Sequence, residues 1–424
     1  MTVAPAEESL WRHRDFRRYW HAQAVDVTGN SITSVAIPLI AVVVLHATVM
    51  EAALLSFAEK LPPLLVALPA GALADRHRKR PITIGAALVN AAAFATIPVA
   101  EAAGHLTLGH LYVVALVGST ATVFGSIARI SYLPALLPPG QLLEANSKLG
   151  GVSSLSDSAG AQLGGALVGV LGATRAIYVD VVSYVACAVL LGRIRTPEPA
   201  SAPRREGSTH RKEIAEGVRY VVSHPTICPL LLTGTAFSAA FAFLNTLWAL
   251  FLLRDLHFSA LALGTAMSVA GLGGLFGALL VRNVVARWGP ARVMLTALAA
   301  MPITELPLLL ASPGLPGQIA ITAGLFLQMA CAIAQGSTQR SIRQSVCAPA
   351  MQGRMMATGQ WITFGSRPLA ALLAGASGTW IGLRPTLTLG TLALTIPFLV
   401  LFTSSLRSMH EVPTAPATAL GKEA

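Results

Sequence analysis

The sequence predicts an all-α integral membrane protein, with twelve transmembrane helices in two six-helix bundles related by pseudo-two-fold symmetry. Three observations carry that expectation. Hydrophobic residues make up 54% of the 424-residue chain and charged residues only 12%, about half the ~25% charged share of a soluble domain. Twelve apolar runs each reach the roughly 20 residues that a helix needs to cross a hydrocarbon core of about 30 Å, where only helices or closed barrels satisfy the backbone. The Lys and Arg residues that give the net charge of +11 stand in short clusters between these runs, as topology signals do, and form no continuous basic face for nucleic acid.

In chain order the runs cover residues 20–45, 49–73, 81–103, 108–132, 142–171, 174–193, 227–253, 259–287, 291–312, 316–341, 351–379 and 384–405. Arg12, Arg14, Arg17 and Arg18 precede the first run; Arg76, Arg78, Lys79 and Arg80 follow the second. Further clusters lie between Arg193 and Arg219 and at Arg282, Arg287 and Arg292, while the opposite loops hold little beyond Arg175, Arg254 and Arg384. Both termini of this multi-pass protein are therefore expected in the cytoplasm, with the spans in the plasma membrane. Glu7 and Glu8 stand where a signal peptide carries positive charge, so the first run is expected to stay in the mature chain.

Residues 1–19 read as a cytoplasmic segment in which Leu10, Trp11, Phe16 and Tyr19 alternate with arginines, a pattern suited to a short helix at the headgroup level. Residues 20–194 form the first bundle, 227–406 the second, and 407–424 a cytoplasmic tail. Between the bundles, residues 195–226 open with Pro197, Pro199 and Pro203. They then place Ile214, Val218 and Val221 at helical spacing, which reads as a linker followed by an amphipathic cytoplasmic helix. The halves repeat: Gly71, Leu73 and Arg76 recur about 210 residues later as Gly277, Leu279 and Arg282, and Pro138, Gly164 and Gly172 recur as Pro349, Gly375 and Gly382.

Several function classes are disfavoured. The chain has no Walker sequence, no HExxH and no GxSxG, so neither an enzyme nor ATP-driven transport is expected. Cys187, Cys228, Cys331 and Cys347 are scattered without a CxxC, as free thiols would be, and no metal or cofactor is expected. The glycine-rich stretch 271–277 lies inside an apolar run with no preceding strand, which argues against a dinucleotide loop.

Ionisable groups at membrane depth are costly and mark functional or paired positions. They are Asp26 in the first run, Glu59 and Lys60 in the second, Asp157 in the fifth, Asp180 in the sixth, Glu305 in the ninth and Arg367 in the eleventh. Asp26 has Asn30 one turn deeper on the same face. Glu59 and Lys60 are adjacent, point about 100° apart and cannot share one groove. Asp180 reads as a packing residue. Gly160 and Gly164, Gly165 and Gly169, and Gly273 and Gly277 are four apart and suit close helix approach.

Residues 71–80, GALADRHRKR, resemble the signature between the second and third helices of the major facilitator superfamily, with Gly71, Leu73, Asp75, Arg76, Lys79 and Arg80 matching. Arg78 departs from it, standing where the superfamily usually has glycine. RDFRRYW, LPALLPPGQLLEAN and EGVRYVVSHP are similar to the macrolide-efflux and enterobactin-exporter-like subgroup of drug:proton antiporters. The resemblance implies the major facilitator fold, with Asp75 near the N-terminus of the eleventh helix and with helices five and eight meeting across a rocking interface. It also implies that helices one, four, seven and ten surround a cavity. Asp26 and Glu59 are then the proton-coupling candidates, and Asn30, Ser119, Thr122, Ser126, Asn245, Trp248, Gln328 and Gln335 the substrate-cavity candidates.

The function so implied is proton-coupled efflux of an amphipathic organic compound, such as a drug, antibiotic or siderophore, by alternating access. The partners would be a small organic substrate, protons and membrane lipids, with the protein a monomer that binds no nucleic acid. Uptake, movement of a lipid-like amphiphile, or a transporter-like membrane sensor are the alternatives.

Overall fold

The computed structural model describes residues 10–138, 141–198, 218–347 and 352–409. Among these residues, twelve long helical stretches follow one another. They are α1 (Arg14–Leu39), α2 (Val49–Arg76), α3 (Lys79–Ala102), α4 (Leu108–Leu136), α5 (Leu142–Leu171), α6 (Ala173–Gly192), α7 (Ile227–Arg254), α8 (Ala260–Trp288), α9 (Pro290–Thr304 with Leu306–Leu310), α10 (Leu315–Val346), α11 (Gln352–Ile381) and α12 (Leu383–Ala393 with Thr395–Thr403). Among the described residues, nine of these are long and apolar enough to cross a membrane by length and composition.

Proline and glycine set the local breaks. Pro38 withholds an N–H near the end of α1, where the ladder widens into a π turn over Ile40–Val44. Pro302 and Pro307 flank Glu305, and α9 breaks there. Gly172 (φ 86°) and Gly382 (φ 86°) each form a one-residue joint, between α5 and α6 and between α11 and α12, in a backbone region that a side chain would strain. These are two of the landmarks that repeat along the sequence, and each closes the same joint in its own half.

The N-terminal segment differs from expectation. Among the described residues no separate headgroup helix precedes α1: Leu10–Arg12 is a single 3-10 turn, and α1 begins at Arg14, where His13 Nδ1 accepts the Phe16 N–H at 3.0 Å. Leu10, Phe16 and Tyr19 are drawn into a buried cluster with Tyr132, Leu136, Ala145 and Leu191, because their apolar faces find partners on α4, α5 and α6. The amphipathic linker helix falls mostly outside the described residues; within them, Val221 packs with Ile227, Leu231, Cys347 and Met355.

The chain divides into two compact units. The first comprises Met1–Thr48, Ala58–Pro203 and Phe258–Ser268; the second comprises Val49–Phe57, Arg204–His257 and Val269–Ala424. The opening turns of α2 therefore belong to the second unit, and those of α8 to the first. In the first unit α1 packs on α5 and α6, and α3 on α4 and α6. In the second, α7 packs on α11 and α12, and α9 on α10 and α12. Each pairing recurs with six added to both helix numbers, which is the structural counterpart of the sequence repeat.

The spaced glycines mostly pack helices inside a unit. A Cβ at Gly160 would lie 2.7 Å from the Thr28 carbonyl oxygen, and one at Gly164 would lie 3.0 Å from Ile32 Cα, so both seat α5 on α1. A Cβ at Gly273 or Gly277 would overlap the carbonyls of Phe326 and Ala330, so both seat α8 on α10. Gly165 alone of these meets the opening turns of α8, against Ala260 and Gly264. The four-residue spacing predicts close approach, and which neighbour comes close is set by the bundle.

Gly273→Ala should destabilise the protein by about 1–3 kcal/mol through overpacking against backbone, whereas Gly150→Ala, with nothing within 4 Å, should be neutral or stabilising. Thermal unfolding in lipid nanodiscs checks this; equal behaviour of the two variants would contradict the packing account.

Candidate functional site: a buried charge pair and its polar surround

Asp26 lies on α1, twelve residues after Arg14 and thus about 18 Å along the helix. It is 7% exposed. At that depth a carboxylate is costly unless a cation compensates, and α4 supplies one. Arg129 Nη1 donates to Asp26 Oδ2 at 2.7 Å, and the same nitrogen reaches Gln23 Oε1 at 2.7 Å. Tyr19 donates its hydroxyl to the Arg129 carbonyl at 3.1 Å, tying the base of α1 to the same turn of α4. Arg129 Nε is buried and has no hydrogen-bond partner among the described residues.

A second layer lies deeper along α1. Asn30 donates to the Asp26 carbonyl at 2.8 Å and accepts the Tyr184 hydroxyl at 2.5 Å. Tyr184 stacks on Phe94. Thr33 donates to Asp180 Oδ2 at 2.5 Å and Ser183 donates to Oδ1 at 2.9 Å, so a fully buried carboxylate ties α6 to α1 with hydroxyl partners. Gly29 permits this approach, since a Cβ there would overlap the Ser183 hydroxyl and the Asp180 carboxylate.

The remaining candidates divide by environment. Thr122, Ser126 and Asn245 are exposed, and Ser119 is half-buried, donating to the Glu59 carbonyl at 2.6 Å. Thr122 also accepts from Asn90 at 3.1 Å. Glu59 is itself exposed. Trp248 is half-buried, and its indole N–H has no partner among the described residues. Gln328 and Gln335 do not line a common open face. Gln328 is buried against Glu305, to which it donates, and Gln335 donates to Gln339 at 2.8 Å. Gln339 in turn donates to the Leu230 carbonyl of α7. These amides join α10 to α9 and α7, because a buried amide needs internal partners.

The signature residues act at the ends of α2 and α3. Gly71 has open space around it and Leu73 is exposed. The side chains of Asp75 and Arg76 lie outside the described ones, as does that of Asp157. The Lys79 and Arg80 N–H groups, at the start of α3, both point at the Glu198 carboxylate, with Lys79 Nζ 3.9 Å from it. An acid there satisfies free N–H groups and meets the positive helix end. Arg80 also donates to the carbonyls of Leu191 and Gly192. Asp15 holds the same post-α6 segment from the other side, accepting from the Arg195 and Thr196 N–H groups at 3.0 and 2.8 Å.

Arg129 was not among the residues that sequence reasoning singled out. Its position seven residues before the end of α4 looks like a topology cation. The available signal was the placement of Asp26 and Arg129 at similar depths on helices with opposite directions. Among the described residues no cluster of His, Cys, Asp or Glu could hold a metal ion, and none of the four cysteines forms a disulfide.

Comparison with known proteins agrees with this architecture. The profile of the family described as Major Facilitator Superfamily matches residues 20–371. The chain is 26% identical over 387 residues to the multidrug efflux pump Tap of Mycolicibacterium fortuitum, covering 88% of this chain and 90% of that one. It is 26% identical over 273 residues to macrolide efflux protein A of Streptococcus pyogenes, covering 62% of this chain and 66% of that one. Among solved structures, a bacterial homologue of the iron transporter ferroportin in its inward-facing state superimposes with a TM-score of 0.74 at 15% identity, covering 93% of this chain and 99% of that one. The nucleoside transporter NupG does so with a TM-score of 0.73 at 12% identity, covering 92% and 100%. At such identities the structural likenesses speak for the fold alone.

Breaking a buried pair by removing one partner should cost about 3–5 kcal/mol, and removing both should cost less. Arg129→Gln should therefore destabilise more than the Asp26→Asn/Arg129→Gln double variant, as measured by thermal unfolding in nanodiscs. Strictly additive losses would show that the two groups are not coupled.

Proposed function

The chain belongs to the major facilitator superfamily, and from that premise we propose that it is a proton-coupled exporter of an amphipathic organic compound. It is a multi-pass membrane transporter and not an enzyme. The observation that carries the finer reading is the Asp26–Arg129 pair, an ion pair buried between two helices of the first unit.

The pair offers two electrostatic states. With Asp26 ionised, the charges cancel and Arg129 is held on the carboxylate. A proton on Asp26 removes that attraction and leaves Arg129 a net cation, with Gln23 as its neutral neighbour. A substrate that binds one state better than the other shifts the equilibrium by its differential affinity, and the proton must shift the substrate's affinity by the same factor. In the first unit the exposed Thr122 and Ser126 offer hydroxyls, and in the second the exposed Asn245 offers an amide, each a polar contact suited to an amphiphile. Efflux is the direction named for the related pumps, and the positive loops support cytoplasmic termini.

For Asp75, within the matching signature, a latch role belongs to the same reading. Glu59 is the alternative proton carrier, since it too is a carboxylate at membrane depth.

The test uses inverted vesicles with an imposed pH gradient and a panel of radiolabelled amphipathic drugs. Asp26→Asn should abolish accumulation against a gradient while sparing downhill exchange, because the amide imitates the protonated acid. A variant that still concentrates substrate with normal pH dependence would remove Asp26 from the coupling step. Loss of coupling in Glu59→Gln alone would transfer the role there.

A further inference from the structure

The second unit holds a cation that the first unit's pair does not balance. Arg367 stands midway along α11, fifteen residues after Gln352 and fourteen before Ile381, about 20 Å of helix from either end. At that depth its head cannot reach bulk water by extending along the helix. A charge there faces protein or a water-filled space, not lipid.

Its surroundings are neutral. Nε donates to Ser238 Oγ of α7 at 2.8 Å, and the guanidinium carbon lies 4.3 Å from the centre of the Phe364 ring. Among the described residues no carboxylate comes within ion-pair distance, in contrast to Arg129. Ser238 is buried, whereas Arg367 keeps intermediate exposure. The serine thus holds one nitrogen and the ring covers one face, while the terminal nitrogens make no hydrogen bond among the described residues. Those nitrogens are the fork that binds a carboxylate through two parallel bonds.

We propose that Arg367 is a carboxylate-binding subsite for cargo, so that the transported amphiphile carries an anionic group beside its apolar body. The proposal rests on the transporter reading and adds the charge class of the substrate. Ser238 fixes the plane of the fork and Phe364 supplies an apolar wall for the neighbouring part of the ligand. An amine in the same place would meet an unneutralised guanidinium, a repulsive element that discriminates against cationic cargo.

The experiment uses full-length protein in detergent at fixed pH and three probes with one ring system: 1-naphthylacetate, 1-naphthylacetamide and 1-naphthylethylamine. Binding is read from quenching of tryptophan fluorescence. Wild type should bind the carboxylate most tightly. Arg367→Gln should weaken the carboxylate by about tenfold or more and the amide by less than about twofold, the difference a charge-assisted fork makes. Arg367→Lys should keep the preference at lower affinity, and Ser238→Ala should reduce it less. If Arg367→Gln does not fold, the Lys and Ala variants decide the matter, because a preference unchanged in affinity in both would overturn the assignment. Wild type that prefers the amine, or binds no carboxylate, overturns it, as does an Arg367→Gln variant that loses all probes equally. Since no proton gradient is used, this result and the Asp26 coupling result can fail independently.

Discussion

A carboxylate and a guanidinium 2.7 Å apart inside an apolar bundle are the constraint on which the first unit depends. Each ion alone carries a desolvation penalty of several kcal/mol even after relaxation. The pair is tolerable only because α1 and α4 hold it in hydrogen-bonding geometry, with Gln23 and the Tyr19 hydroxyl fixing the same turns. Such a pair adds little net stability over apolar packing, yet breaking it is expensive. That asymmetry makes it suited to a switch, since one proton changes which state is expensive.

The glycines make this geometry possible. Gly29 lets α1 approach α6, and Gly160 and Gly164 let α5 approach α1, so the helix bearing Asp26 is clamped from two sides. At the other end, Asp15 accepts from the Arg195 and Thr196 N–H groups and Glu198 accepts from those of Lys79 and Arg80, which joins the segment after α6 to the starts of α1 and α3. The second unit repeats the helix pairings but not the charges. Where the first unit puts an ion pair on α1 and α4, the second binds α10 to α7 through Gln339 and the Leu230 carbonyl, and its buried acid, Glu305, meets an amide. The two units thus share a scaffold and differ in chemistry, with an ion pair in one and, among the described residues, a cation without a carboxylate partner in the other.

The helices were legible in the sequence because a hydrocarbon core imposes a minimum length and loops must carry polar residues. The breaks at Glu305 and Leu394 were not, since proline inside a membrane helix can bend it or interrupt it depending on its neighbours. Asp26 was legible as a charge inside an apolar run. Arg129 was not, because near a helix end a cation reads as topology until the partner helix is known. Gln328 and Gln335 do lie on α10 at a seven-residue spacing, but periodicity shows which residues share a face and not what that face meets. The glycine pairs show the same limit: close approach was readable and the partner was not.

The most direct measurement of the central claim is infrared difference spectroscopy of the protein in nanodiscs as the pH is lowered. The protonated-carboxyl band of wild type should lose one component in Asp26→Asn and keep that component in Glu59→Gln. A band that persists unchanged in Asp26→Asn, or that vanishes only in Glu59→Gln, would show that the buried pair does not carry the proton.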